Sequence, residues 1–165
     1  RKRLSIICIY IYLRPMKIED EIKQGSFKSV YHKLMVNQLF TGKWVADAIA
    51  QHLKPYDLTS QQYNVLRILR GQYPKAISIN AICERMIDKM SNVSRLVDKL
   101  LAKGWAKRKV NLEDRRQMDV TITESGLEVL QQLDEKEDAL LAYFDHLTAE
   151  EADLLNHLLD KMRKH

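Results

Sequence analysis

A change of period at Gly104 constrains this chain more than any other feature. Before it, Val93, Leu96, Val97, Leu100 and Leu101 recur at three- and four-residue steps, which puts them on one stripe of a helix. After it, Trp105, Lys107 and Lys109, and then Met118, Val120 and Ile122, alternate with other residues as strands do. Asn111, Leu112, Glu113 and Asp114 separate the two alternating runs and suit a connecting turn, so the pair predicts a β-hairpin with a charged tip. Gly104 itself stands where a helix end wants a left-handed residue.

Upstream, Ser78 is placed to cap a short helix carrying Ile79, Ile82, Cys83 and Met86, and Ile87-Asp88-Lys89 breaks it. Two short helices joined by a tight turn, the second rich in small polar and basic residues, form a helix-turn-helix pattern to which the hairpin adds a wing. Flanking this unit, Phe27, Val30, Tyr31, Leu34, Met35, Trp44, Val45, Ile49 and Leu53 mark one long amphipathic helix that Lys54-Pro55 ends. Thr59 with Gln62 makes a capping box opening the next helix, whose expected core face is Tyr63, Leu66 and Leu69 or Ile68, ending near Gly71 to Pro74.

From Glu124 the helical period returns through Leu127, Leu130, Leu133, Leu140, Leu141 and Phe144. Thr148 with Glu151 makes a second capping box, and Leu154, Leu155, Leu158, Leu159 and Met162 stripe the last helix. The expected fold class is therefore mainly α with a small β-hairpin wing, a winged helix-turn-helix flanked by long N- and C-terminal helices. The expected organisation is a leader at 1–15, an N-terminal dimerisation region at 16–56, a winged domain at 57–123 and C-terminal dimerisation helices at 124–165. Apolar faces wider than one small domain needs favour pairing with a second copy, the alternative being that the terminal helices pack on each other within one chain.

Charge is unevenly distributed along the chain. Residues 85–116 carry ten Lys or Arg against four acids, whereas residues 117–165 carry four bases against twelve acids. A basic middle points to a localised polyanion-binding face, since phosphate neutralisation with counterion release dominates nucleic-acid affinity. The opening RKRLSIICIYIYLRP imitates a signal peptide without the small-residue cleavage site and is too short to span a bilayer. With Met16 opening a polar stretch behind it, a non-native or upstream leader is the expectation for residues 1–15, the alternative being an extra strand or an apolar arm. Cys8 and Cys83 make no CxxC, which suits a reducing, cytoplasmic setting, and neither they nor the five scattered histidines have metal-ligand or catalytic spacing. No metal, cofactor, enzymatic activity or membrane association is expected.

The run Ser91-Asn92-Val93-Ser94-Arg95-Leu96-Val97-Asp98-Lys99-Leu100-Leu101-Ala102-Lys103-Gly104-Trp105, then Asp114-Arg115-Arg116, then Ile122-Thr123-Glu124-Ser125-Gly126, resembles the MarR family of bacterial regulators. Ile122 stands where that pattern usually has Leu. The resemblance spans about Phe27 to Lys164 and implies a triangular homodimer with interlocked terminal helices, binding a roughly palindromic double-stranded operator, usually to repress. It also implies release by a small-molecule inducer or by oxidation, and a pocket between the dimer helices and the winged lobe near Trp44, Tyr63 and Tyr73. Aromatics at such spacing are more often core residues than ligand walls.

In such a motif the start of the second helix meets base edges in the major groove, here Ser91, Asn92, Ser94 and Arg95. Asn suits adenine and Arg suits guanine, although Ser91 and Asn92 are equally suited to capping the helix. Ser78, Lys89 and Lys99 complete the expected DNA-contacting set, the lysines as phosphate contacts, and Arg115 and Arg116 have the form of minor-groove probes. The resemblance implies that Asp98 pairs with the wing arginine, which aligns with Arg116, and makes Asp98 and Asp114 wing-positioning residues. Cys83 lies on the apolar face of its helix, so a buried, inert thiol is expected rather than a sensor. A winged module serving protein contact within a larger assembly is the alternative function, and the basic charge of the wing argues against it.

Overall fold

The computed structural model describes residues 17–111, 114–115 and 117–163; the leader at 1–15 lies outside them. The chain divides into two compact units, 1–45 and 46–165, with the division falling inside one long helix. In the first unit, α1 (Ile18–Glu21) buries Ile18, and Glu19 pairs with Lys33 at 2.5 Å. The long helix α2 (Val30–Leu53) starts three residues later than its apolar pattern suggests, because the Ser29 hydroxyl accepts from the His32 N–H and so caps it there.

The second unit contains the hydrophobic core. After a single 3₁₀ turn (Lys54–Tyr56), Thr59 caps α3 (Ser60–Gln72) with the reciprocal Thr59–Gln62 bonds that the capping-box pattern calls for. Leu66 and Leu69 are buried on α3 as expected and are joined there by Gln62 and Val65, while Tyr63 and Ile68 are only half-buried at the margin. Ser78 caps α4 (Ile79–Arg85), its hydroxyl accepting from the Ala81 N–H at 3.2 Å. The second helix of the pair, α5 (Val93–Ala102), buries Val93, Val97 and Leu100.

Gly104 ends α5 with φ +73°, the Gly104 N–H donating to Leu101 and the Trp105 N–H to Leu100. These two bonds make a Schellman cap, and the left-handed residue it needs is the reason for glycine there. β2 (Ala106–Val110) and β3 (Met118–Ile122) then pair antiparallel, with Arg108 opposite Val120. A two-residue strand β1 (Ile77–Ser78), not anticipated from the sequence, pairs with β3 and gives a three-stranded sheet in the order β1-β3-β2. Its pattern is too short to show an alternation, and only the long-range pairing with Asp119 and Val120 defines it.

Thr123 joins the sheet to α6 (Glu124–Asp134). Its hydroxyl accepts from the Gly126 N–H and donates to the Gly104 carbonyl, while its own N–H donates to the Trp105 carbonyl. Any side chain at Gly126 would come within 2.3 Å of that same Trp105 carbonyl oxygen, so the helix can approach the end of α5 only with glycine there. Arg70 on α3 forks onto Asp134 of α6 at 2.5 and 3.3 Å, tying the two helices across the core. The chain ends in α7 (Glu137–Leu141), a 3₁₀ turn (Ala142–Phe144) and α8 (Ala149–Met162), the last opened by the Thr148–Glu151 capping box. No residue of α7 or α8 is buried, although Leu154, Leu155, Leu158 and Met162 lie along α8.

Candidate nucleic-acid interface

The turn before α5 is built by side chains rather than by apolar packing. The Asp88 carboxylate accepts from the Ser91 hydroxyl at 2.9 Å and from the Met90 N–H at 3.0 Å, and the Ile87 N–H donates to Asn64 of α3 at 2.9 Å. The Ser91 bond first, and the Met90 N–H next, hold the Asp88 carboxyl below its ordinary value of 3.8. Asn92 then caps α5, its side-chain oxygen accepting from the Arg95 N–H at 3.2 Å. Both capping roles that the sequence left open are thus divided, with Asn92 closing the helix and Ser91 closing the turn.

Ser94, Arg95 and Asp98 are exposed on the face of α5 opposite Val93, Val97 and Leu100. The Arg95 guanidinium has no side-chain partner among the described residues, which leaves its fork of donors for a ligand. Lys89 is exposed and its ammonium donates to the Glu84 carbonyl at 2.6 Å, a contact that occupies one of its three donors. Lys99 sits differently from the other expected contacts. It lines a cleft of about 660 Å³ with Lys54, Lys103 and Asp57, and Lys103 bonds the Asp57 carboxylate at 2.7 Å. Ser78 and Ser94 line a small hollow of about 150 Å³ together with Gln117 and Met118 of the wing, so the start of α4, the exposed face of α5 and the wing meet there.

On the wing, Lys107 and Lys109 are exposed in register with Thr121 and Asp119. Asp98 pairs with Arg108 at 3.0 Å, which fastens β2 to the outer face of α5. Nothing in the spacing pointed to Arg108, because only the hairpin register brings it beside Asp98; the expected partner Arg116 lies outside the described residues. At the tip, the Asp114 N–H donates to the Asn111 side chain at 2.8 Å and its carboxylate accepts from Gln117 at 3.0 Å, so Asp114 shapes the turn while Arg115 is exposed.

Cys83 is exposed, contrary to the buried thiol expected. α4 is only seven residues long, and Ile82 and Met86, four apart, fill the core side by themselves, turning Cys83 outward. Of the aromatics expected to line a ligand pocket, Trp44 in the first unit borders a hollow of about 330 Å³ with Ile18, Glu21 and Phe40. In the second unit, the Tyr63 hydroxyl accepts from Arg67 at 2.9 Å. Tyr73 donates to Glu124 at 3.0 Å, a carboxylate neighbour that raises the phenol above its ordinary value. Tyr63 and Tyr73 are thus committed to different partners. Among the described residues no His, Cys, Asp or Glu cluster is arranged to hold a metal, and no helix is long and apolar enough to cross a membrane.

Comparison with known proteins agrees with this architecture. Residues 56–117 match the sequence profile of the MarR family. An uncharacterised HTH-type transcriptional regulator of Bacillus subtilis, YpoP, is 33% identical over 109 residues, 66% of this chain and 76% of that protein. The HTH-type transcriptional regulator SarZ of Staphylococcus haemolyticus is 29% identical over 118 residues, 72% of this chain and 79% of that one. In fold, the chain superposes on a mutant MarR of Escherichia coli crystallised with operator DNA with a TM-score of 0.71 and 23% identity, covering 83% of this chain and 100% of that one. The relatives are transcriptional regulators rather than enzymes, and with its winged helix-turn-helix this chain belongs to the MarR family of transcriptional regulators.

Proposed function

We propose that this chain is a sequence-specific binder of double-stranded DNA that acts in the cytoplasm as a homodimer on a roughly palindromic operator, repressing transcription until a small-molecule inducer or a stress signal releases it. The observation that carries the reading is the exposed edge of α5, where Arg95, without a side-chain partner among the described residues, stands beside Ser94, flanked by the basic wing strand with Lys107 and Lys109. An α-helix fits the major groove, where Arg meets guanine with about 1–3 kcal/mol of discrimination. The similar fold of a MarR crystallised with operator DNA supports it.

The geometry supports a division of roles. Arg95 and Ser94 read bases. Asn92 spends its oxygen on the helix cap, so it offers donor contacts rather than the two-point adenine pair its side chain would otherwise allow. Lys89, Lys107 and Arg115 neutralise phosphate or enter the minor groove, joined there by Arg116. Ser78 holds the start of α4, and Asp98 and Asp114 hold the wing. Lys99 faces the Asp57 cleft and contributes charge at longer range.

Residues 57–123 form the DNA-binding domain in this reading, and residues 16–56 and 124–165 supply dimerisation. The exposed Val30, Tyr31, Leu34 and Leu39 of α2 and the apolar stripe of α8 are what a second copy would cover. Trp44, Tyr63 and Tyr73 are the residues at which inducer binding is to be sought. Selecting bound fragments from random DNA tests the function: recovery of one sequence with two inverted half-sites about 10 base pairs apart is expected. Recovery of no common sequence would overturn it.

A further inference from the structure

Ile87 and Met90 are 88% and 92% exposed, the two most exposed large apolar side chains among the described residues. They stand apart from the others. The remaining exposed apolar residues lie almost entirely on α2 and in the C-terminal segment 141–162; within the winged lobe only Tyr73 and Val110 join them. Two bare hydrophobic side chains, three residues apart on one turn, cost solubility and contribute nothing to the core, so they are unexplained by folding.

Their backbone is nonetheless held firmly. Asp88 accepts from the Met90 N–H and the Ser91 hydroxyl, and Asn64 accepts from the Ile87 N–H. The turn is therefore a fixed platform presenting Ile87 and Met90 immediately before Asn92 and Arg95, within the basic stretch 85–116. Whatever covers them must tolerate Lys89 between them and sit against the start of α5.

We infer that Ile87 and Met90 form an apolar reading element that packs on thymine C5-methyl groups in the major groove. This rests on the DNA-binding reading above and deepens it, adding a preference for T·A pairs at one or two positions of each half-site. The major groove presents one apolar group, the thymine methyl, and Met is unbranched and adaptable enough to follow it. Binding then buries the two side chains that folding leaves bare.

The test uses the full chain, a fragment obtained by selection, and copies in which each thymine in turn is replaced by deoxyuridine, which deletes only the methyl. Loss of one buried methyl lowers affinity about fourfold, so one or two positions per half-site should show that loss with the parent chain. Met90→Ala should weaken binding to the thymine fragment by about tenfold and respond little to uracil at the position that Met90 covers; Ile87→Ala should behave likewise at its own position. Because both side chains are almost wholly exposed, neither change disturbs the fold. The inference is overturned if no uracil substitution affects the parent chain, or if Met90→Ala is as sensitive to every one of them as the parent is. Arg95→Ala separates the two levels: if it abolishes selective binding while Met90→Ala and uracil have no effect, the DNA-binding reading stands and the methyl contact falls. If the parent itself shows no selective binding, both fall.

Discussion

In the winged lobe Val65, Leu66, Val97, Leu100 and Val120 are completely buried, whereas on α8 Leu154, Leu155 and Leu158 remain 58%, 46% and 50% exposed and nothing is buried at all. Both regions are written in the same language of apolar residues at helical spacing. The difference lies in whether the chain supplies the opposite wall. In the lobe, α3, α5, α6 and the sheet close around one core, which fixes the position of the outer face of α5. On α8 the stripe is as apolar and none of its residues is buried, and in the proposed homodimer a second copy covers it. The lobe closes its own core, whereas α8 keeps its apolar stripe exposed, as the proposed homodimer requires.

Making α8 polar is expected to separate the two regions most strongly. Leu154→Lys with Leu158→Lys removes no core contact, so helix content and the melting of the lobe should persist while the mass in solution falls to that of one chain, 19.3 kDa. Affinity for a two-half-site operator should fall at least about 100-fold, because the second half-site no longer binds intramolecularly. A dimer that survives both changes would show that α8 is not the paired surface.

The converse change is made inside the lobe. Leu100→Ala should cost about 2–5 kcal/mol of unfolding free energy, read by thermal or denaturant melting, while the dimer mass holds well below the melting temperature. A cost below about 1 kcal/mol would mean the lobe core is not closed as described.

On the DNA-facing side, Arg116→Ala should weaken operator binding by more than about 1 kcal/mol and leave the dimer intact. Lys107→Ala should instead trim affinity evenly for operator and scrambled DNA and lower the salt slope by about one unit. Equal behaviour of the two variants in titrations would remove the distinction between probe and phosphate contact. The smallest effect expected is in the turn. Asp88 is depressed in the folded chain, so its bonds stabilise the turn above 3.8 and are lost as pH falls through the lower folded value. The Met90 amide resonance should accordingly titrate with an inflection below 3.8, and one at or above it would contradict the bond.

What the sequence made legible was local. The Thr59–Gln62 and Thr148–Glu151 boxes, the Ser78 cap and the Gly104 turn each depend on residues within a few positions of one another, and each has the bonds its pattern demands. Gly126 was readable as part of a motif, but the reason for it, the Trp105 carbonyl above it, is a tertiary contact. Errors fell where two helical stripes compete. Cys83 shares a stripe with Ile82 on paper, yet a two-turn helix buries only one edge, and on α3 Val65 rather than Tyr63 lies at the centre of the buried face. The Asp98–Arg108 pair and strand β1 were invisible because hairpin register and long-range pairing create them. The exposure of Ile87 and Met90 was likewise invisible, since composition cannot distinguish an apolar residue in a core from one on a turn.

In the proposed homodimer a self-sufficient lobe meets DNA while the exposed terminal helices join two chains into one DNA-binding unit. Sedimentation equilibrium of the chain with a duplex carrying the selected operator measures the DNA contact and the pairing together. A complex of two chains per duplex that forms in one step is expected, with a free protein of twice 19.3 kDa. One chain per duplex, with a free protein that is monomeric at micromolar concentration, would contradict it.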